Sequence, residues 1–140
     1  MIILDTNLMS ALMRQDTDPV VVGWLDGHPL ESIWTTAVTV FEVRFALELL
    51  AQGRRRRQLE DAFDRALDQD FEGRVLPFEQ SAARAAASIA AKRRQEGRSI
   101  EIRDAQIAGI ASARRATLAT RNTRRFADLG IPLVDPWAAS

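Results

Sequence analysis

Residues 1–7 read MIILDTN: four apolar side chains in succession, then Asp5, Thr6 and Asn7. An apolar run this short, stopped by polar residues, has the pattern of a strand buried on both faces of a parallel sheet. Ligands of open parallel α/β sheets lie in the crevice beyond the carboxyl ends of the strands. Asp5 stands at such an end and has two readings. It can cap the helix that follows, a task open equally to Thr6 and Asn7, or it can be a carboxylate held in the crevice.

Outward from this stretch, short apolar runs alternate with helical patterns. DTNLMSALMR begins a helix with Leu8, Leu12 and the methionines inward, and Pro19 opens a second, VVVGWLDG. SIWTTA reads as the next strand. TVFEVRFALELLAQG has helical spacing with Gly53 suited to its C-cap, and RRRRQLEDAFDRALDQDF puts Leu59, Phe63 and Leu67 on one stripe. VLPF, TLAT and IPLVDPW are brief strands. EQSAARAAASIAAKRRQEG is an alanine-rich helix ending at Gly97, IRDAQIAGIASARR another, and NTRRFADLG a short helical turn. The alternation predicts an α/β sandwich around a mostly parallel sheet, one domain over residues 1–140.

Composition narrows the chemistry. The hydrophobic fraction is 46%, the charged fraction 27% and the formal net charge zero, so anion binding has to come from local clustering. There is no cysteine and no tyrosine, which excludes thiolate nucleophiles, cysteine-rich zinc sites and tyrosine nucleophiles. His28, the sole histidine, sits in a GHP loop, so a serine triad would rest on that residue alone. Lys92 is the only lysine; every other basic residue is arginine, the better fork for phosphate. No signal segment and no membrane-spanning run is visible, and a cytoplasmic location is expected.

Two further acids join Asp5. Glu42 lies on the stripe of its helix shared by Val38, Thr39, Phe45, Ala46 and Leu49, whereas Arg44 and Glu48 are spaced for an exposed ion pair. Asp104 opens the helix whose next inward residues are Ile107, Ala108 and Ala111. Bland readings exist for each: a salt bridge for Glu42, a favourable dipole interaction for Asp104. Taken together, three acids on inward or crevice positions repel one another unless a cation neutralises them. Oxygen-only ligation points to Mg²⁺ or Mn²⁺, which activates water for in-line attack on a phosphodiester. ATRNTRRF puts Thr120 to Asn122 at another strand end; Asn122 could contact the metal or cap the turn, and Arg121, Arg124 and Arg125 cluster where phosphate would dock. The run Arg54–Arg57 is read as a solvated helical face, Arg56 pairing with Glu60 and Arg57 with Asp61.

The ordered set ILDTN, TAVTVFEVRFAL, EIRDAQIAGIA, ATRNTRRF and LVDPW resembles the PIN-domain ribonucleases, specifically the VapC-type toxins of toxin–antitoxin pairs and their FitB-like branch. The resemblance covers essentially the whole chain. It implies a PIN-like three-layer sandwich and a Mg²⁺- or Mn²⁺-dependent endoribonuclease. Asp5, Glu42 and Asp104 would hold the metal, with Asn122 a further catalytic position and Thr6 and Thr120 supporting hydroxyls. Arg121 and Arg124 would bind substrate. Some members carry aspartate where Asn122 stands, so this site is one negative charge poorer. The resemblance further implies a homodimer, an RNA substrate, and a cognate antitoxin that wraps the nuclease and inserts a basic side chain near the metal. Operator DNA would be bound only through that antitoxin.

Competing enzyme classes lack their residues. A haloacid-dehalogenase-like phosphatase needs a second aspartate where Asn7 stands, and a receiver domain needs a strand-end lysine, whereas Lys92 lies mid-helix. No GxGxxG follows the first strand. A PIN-like domain that binds RNA or protein without cutting remains as the non-enzymatic alternative, and a DNA-cutting nuclease with the same metal site as the other.

Overall fold

A computed structural model describes residues 1–14 and 16–138. Its centre is β1 (Ile2–Leu4), paired in parallel with β2 (Ile33–Thr36) on one side and β4 (Thr117–Ala119) on the other. β3 (Val75–Leu76) extends the sheet beyond β2, and β5 (Leu133–Val134) beyond β4, both again parallel. The order is therefore β3-β2-β1-β4-β5. Chain order reverses direction between β1 and β4, which is the switch point where this class of sheet opens a crevice.

Side-chain alternation along the strands divides the core in two. Ile3 and Leu118 face a cluster with α5 (Gln80–Gln95) and α6 (Ile102–Arg114), through Ala82, Ile107 and Ala111. Leu4, Ile33 and Ala119 face the opposite cluster, built from α1 (Thr6–Leu12), α2 (Pro19–Asp26) and α4 (Arg54–Arg65), where Phe63 is fully buried. Helices thus cover both faces, the expected sandwich. α3 (Ala37–Glu48) contributes Val38 to one cluster and Val43 and Leu47 to the other, so it straddles the carboxyl edge of the sheet. The helix α7 (Thr123–Phe126) follows β4 and is pinned by buried Phe126.

α5 and α6 approach closely at Gly109. A Cβ there would stand 2.5 Å from the Ala82 carbonyl oxygen and 2.7 Å from the Ala86 Cβ. The alanine-rich stretch is alanine-rich because α5 and α6 meet nearly backbone to backbone.

Four local expectations need correction. α3 ends at Glu48 with Leu49 as its C-cap, and Gly53 instead precedes α4. Phe45, Ala46 and Leu49 are exposed, so the inward stripe of α3 is Val38, Thr39, Val43 and Leu47, and Glu42 lies at its border. Arg44 pairs with Asp64 and Glu48 with Arg56, because α4 packs across α3 and offers better-placed partners than the next turn. Arg56 also reaches Glu60 at 3.4 Å as expected, but among the described residues Arg57 and Asp61 form no ion pair.

Candidate active site

Each of the three acids is placed by a local cause. Asp5 leaves β1 with its N–H bonded to the Ala119 carbonyl at 3.1 Å, which locks it beside the end of β4. Its Oδ1 accepts the Leu8 N–H at 2.9 Å, so it caps α1 and occupies the crevice at once. Both readings of this residue hold. Glu42 projects from α3, and the Thr6 hydroxyl donates to its Oε1 at 2.8 Å. Asp104 sits in the first turn of α6, whose N-cap Glu101 accepts the Arg103 and Asp104 N–H groups.

Together Asp5, Glu42 and Asp104 line one cavity of about 30 Å³ at the switch point, closed by Ile107 and Phe126 and rimmed by Thr6 and Asn7. That volume is roughly one water molecule's share of the liquid. Asp5 is 5% exposed. Burial pushes its carboxyl above the usual value, the negative charge of Glu42 adds to this, and a hydrogen bond with Thr120, the Leu8 N–H and the charge of Arg125 pull it back. Burial also raises Asp104, against the pull of Arg125 and with the repulsion of Glu101, Glu42 and Asp5 behind it.

The expectation that only a metal relieves this repulsion needs amendment. Arg125 enters the same cavity and places its Nε 3.5 Å from Asp104 Oδ2, while Arg103 reaches Glu42 at 3.8 Å. As they stand, no three His, Cys, Asp or Glu side chains among the described residues are arranged to hold a metal ion. The donor set nevertheless fits one. It is entirely oxygen, it converges on one small cavity, and the arginine that shares the cavity has a side chain 47% exposed.

The remaining candidates fall around this centre. Thr120 is fully buried at the end of β4, and its Oγ1 accepts the Asn122 N–H at 3.0 Å. Asn122 is exposed, makes no side-chain cap, and lines a larger polar groove of about 680 Å³ rather than the acidic cavity. Arg121 lines the same groove, its guanidinium 4.9 Å from the centre of the Trp137 ring. Asn7 borders both spaces and so joins them. Arg124 is exposed and lines neither.

Sequence reasoning missed Arg93, 7% exposed, whose guanidinium donates to the carbonyls of Arg125 and Ala127 at 3.1 and 2.9 Å. The only sequence signal was its position in a helix that keeps small residues inward.

The chain is similar to known proteins over nearly its full length. The PIN domain family profile matches residues 2–132. The chain is 37% identical over 139 residues to the plasmid stability protein StbB of Pseudomonas syringae pv. tomato, covering 99% of this chain and 100% of that one. It is 35% identical over 137 residues to the VapC ribonuclease Y4jK of Sinorhizobium fredii, with 98% of each chain covered. Among solved structures, FitAB bound to an IR36 DNA fragment superposes with a TM-score of 0.90 at 34% identity, covering 100% of this chain and 98% of that one. FitAcB from Neisseria gonorrhoeae gives 0.89 at the same identity, with 99% of each chain covered. The chain belongs to the PIN-domain family, among its VapC-type toxins.

Proposed function

We propose that this protein is a divalent-metal-dependent endoribonuclease and the toxin of a toxin–antitoxin pair. The observation that carries the reading is the convergence of Asp5, Glu42 and Asp104 on one small cavity at the β1/β4 switch point. A domain that merely bound RNA would gain nothing from a pocket of negative charge. Kinship with a VapC ribonuclease supports the same conclusion.

Asp5, Glu42 and Asp104 would hold Mg²⁺ or Mn²⁺, which would supply Lewis acidity toward a phosphate oxygen and lower the pKa of water. The protein's own contribution is orientation. Leu8 N–H and Thr120 fix the Asp5 carboxylate, and Thr6 fixes Glu42. Arg121, steadied over Trp137, keeps its donor edges available to a phosphate lying in the groove past Asn7 and Asn122. Hydrolysis leaves 5′-phosphate and 3′-hydroxyl ends.

A cognate antitoxin is the proposed protein partner, with operator DNA engaged through it, as the complex of FitAB with a DNA fragment suggests by kinship. Phe41 and Phe45, stacked at 6.0 Å, and Leu49 form an exposed apolar strip on α3 beside the site, which supports protein docking there. A homodimer belongs to the same proposal. Among the described residues no helix is long and apolar enough to cross a membrane.

The deciding experiment incubates the purified protein with single-stranded RNA and with DNA of matching sequence. Cleavage of RNA in Mg²⁺ or Mn²⁺, its arrest by EDTA, and its loss in Asp5→Asn and Asp104→Asn are expected. Metal-independent cutting, or wild-type activity in Asp104→Asn, refutes the reading; cutting of DNA alone replaces the substrate. A short neighbouring reading frame encoding a small DNA-binding protein is the expected genetic companion.

A further inference from the structure

Three arginines lie between residues 121 and 125, and their surroundings differ. Arg121 is stacked on Trp137, Arg124 is exposed, and Arg125 alone of the three lines the cavity of the acids. The backbone under Arg125 is fixed on three counts. Arg93 donates to its carbonyl, its N–H bonds the Asn122 carbonyl at 3.1 Å, and the next side chain, Phe126, is 2% exposed. The side chain above that base is half in solvent. This is a long arm on a rigid mount, with its charged end among the carboxylates that also serve as the metal's donors.

Two cations therefore compete for Asp104. A guanidinium 3.5 Å from Oδ2 satisfies the carboxylate while no metal is there, and a divalent ion drawn in by three carboxylates displaces it. The displaced group keeps its charge, since arginine does not deprotonate, and its tether holds it at the mouth of the cavity. A phosphodiester whose oxygen reaches the metal passes that mouth, and the guanidinium fork matches its non-bridging oxygens.

We propose that Arg125 is a further catalytic residue: it occupies the acid site as a counter-ion before the metal arrives, then turns outward and binds the scissile phosphate. This rests on the metal-nuclease reading above. It assigns to Arg125 the substrate contact that was expected of Arg124.

The test uses the full-length protein and its Arg125→Gln, Arg125→Lys and Asp104→Asn variants, each verified as folded by circular dichroism. Mn²⁺ affinity is measured by calorimetry. RNA binding is measured in Ca²⁺ with intact RNA verified on gels, over a series of NaCl concentrations. Arg125→Gln is expected to bind Mn²⁺ about fivefold or more tighter. It should bind RNA about tenfold more weakly, with a salt slope smaller by roughly 0.7, the value of one lost contact on a single strand. Arg125→Lys, keeping the charge but not the fork, should stay close to wild type in Mn²⁺ affinity and in salt slope while binding RNA more weakly than wild type. Unchanged or weaker Mn²⁺ binding by Arg125→Gln, or an unchanged salt slope, overturns the proposal. Asp104→Asn separates the two levels: if it binds Mn²⁺ like wild type, the metal site itself is misassigned, whereas its loss of Mn²⁺ beside an unaltered Arg125→Gln removes only the role of Arg125.

Discussion

The Thr6 hydroxyl donates to Glu42 Oε1 at 2.8 Å and lies 3.2 Å from the Thr39 hydroxyl, tying the start of α1 to the middle of α3. Thr6→Val keeps the shape and removes the donor. Partners that orient ligating carboxylates typically contribute about 10–100-fold to activity or metal affinity. A loss of that size in RNA cleavage, with the melting temperature nearly unmoved, is the expected result. An active Thr6→Val enzyme would mean that Glu42 needs no such support.

Asp5 combines a cap with a site carboxylate, and two substitutions separate these tasks. Asn keeps an acceptor for the Leu8 N–H, whereas Ala loses it. Both variants are expected to be inactive. Chemical denaturation should find Asp5→Ala less stable than Asp5→Asn by about 1 kcal/mol, the usual worth of an N-cap.

Burial holds the Asp5 carboxyl above its ordinary value of 3.8 in the folded protein. A carboxyl raised by folding binds its proton more tightly in the native state, so its contribution to stability is present at low pH and is lost as pH rises from about 4 through the raised value. In chelator, Asp5→Asn should therefore gain on wild type in melting temperature between about pH 4 and pH 7, and the gap should narrow when Mn²⁺ is added. A gap independent of pH would show that the buried charge is already compensated.

Gly109 permits the close approach of α5 and α6. Gly109→Ala drives a methyl group into the Ala82 carbonyl and the Ala86 side chain. Overpacking of this kind costs about 1–3 kcal/mol, offset only slightly by helix propensity. Thermal unfolding should reveal a lowered melting temperature, with activity per folded molecule retained.

The sheet was legible from the alternation of short apolar runs with helical periods, because strands buried on both faces leave largely apolar stretches such as IIL. Asp5 and Asp104 were legible for a related reason: a carboxylate at a strand end or beneath an apolar helix face is out of pattern. Helix spacing could not tell how α3 meets α4. That packing gave Arg44 and Glu48 other partners and left Phe45 and Leu49 uncovered. Nor does spacing within NTRRF reveal which arginine turns inward. That choice is made at a distance by buried Phe126 and by Arg93, 32 residues away from the carbonyl it binds.

β1 is the centre of the sheet, yet its neighbour β4 begins only at Thr117. During synthesis the first strand must wait for almost the entire polypeptide before its second edge is covered. Asp5 likewise gains its backbone partner Ala119 only at that stage. A chain that ended before Thr117 would leave one edge of β1 bare and Asp5 without its backbone partner.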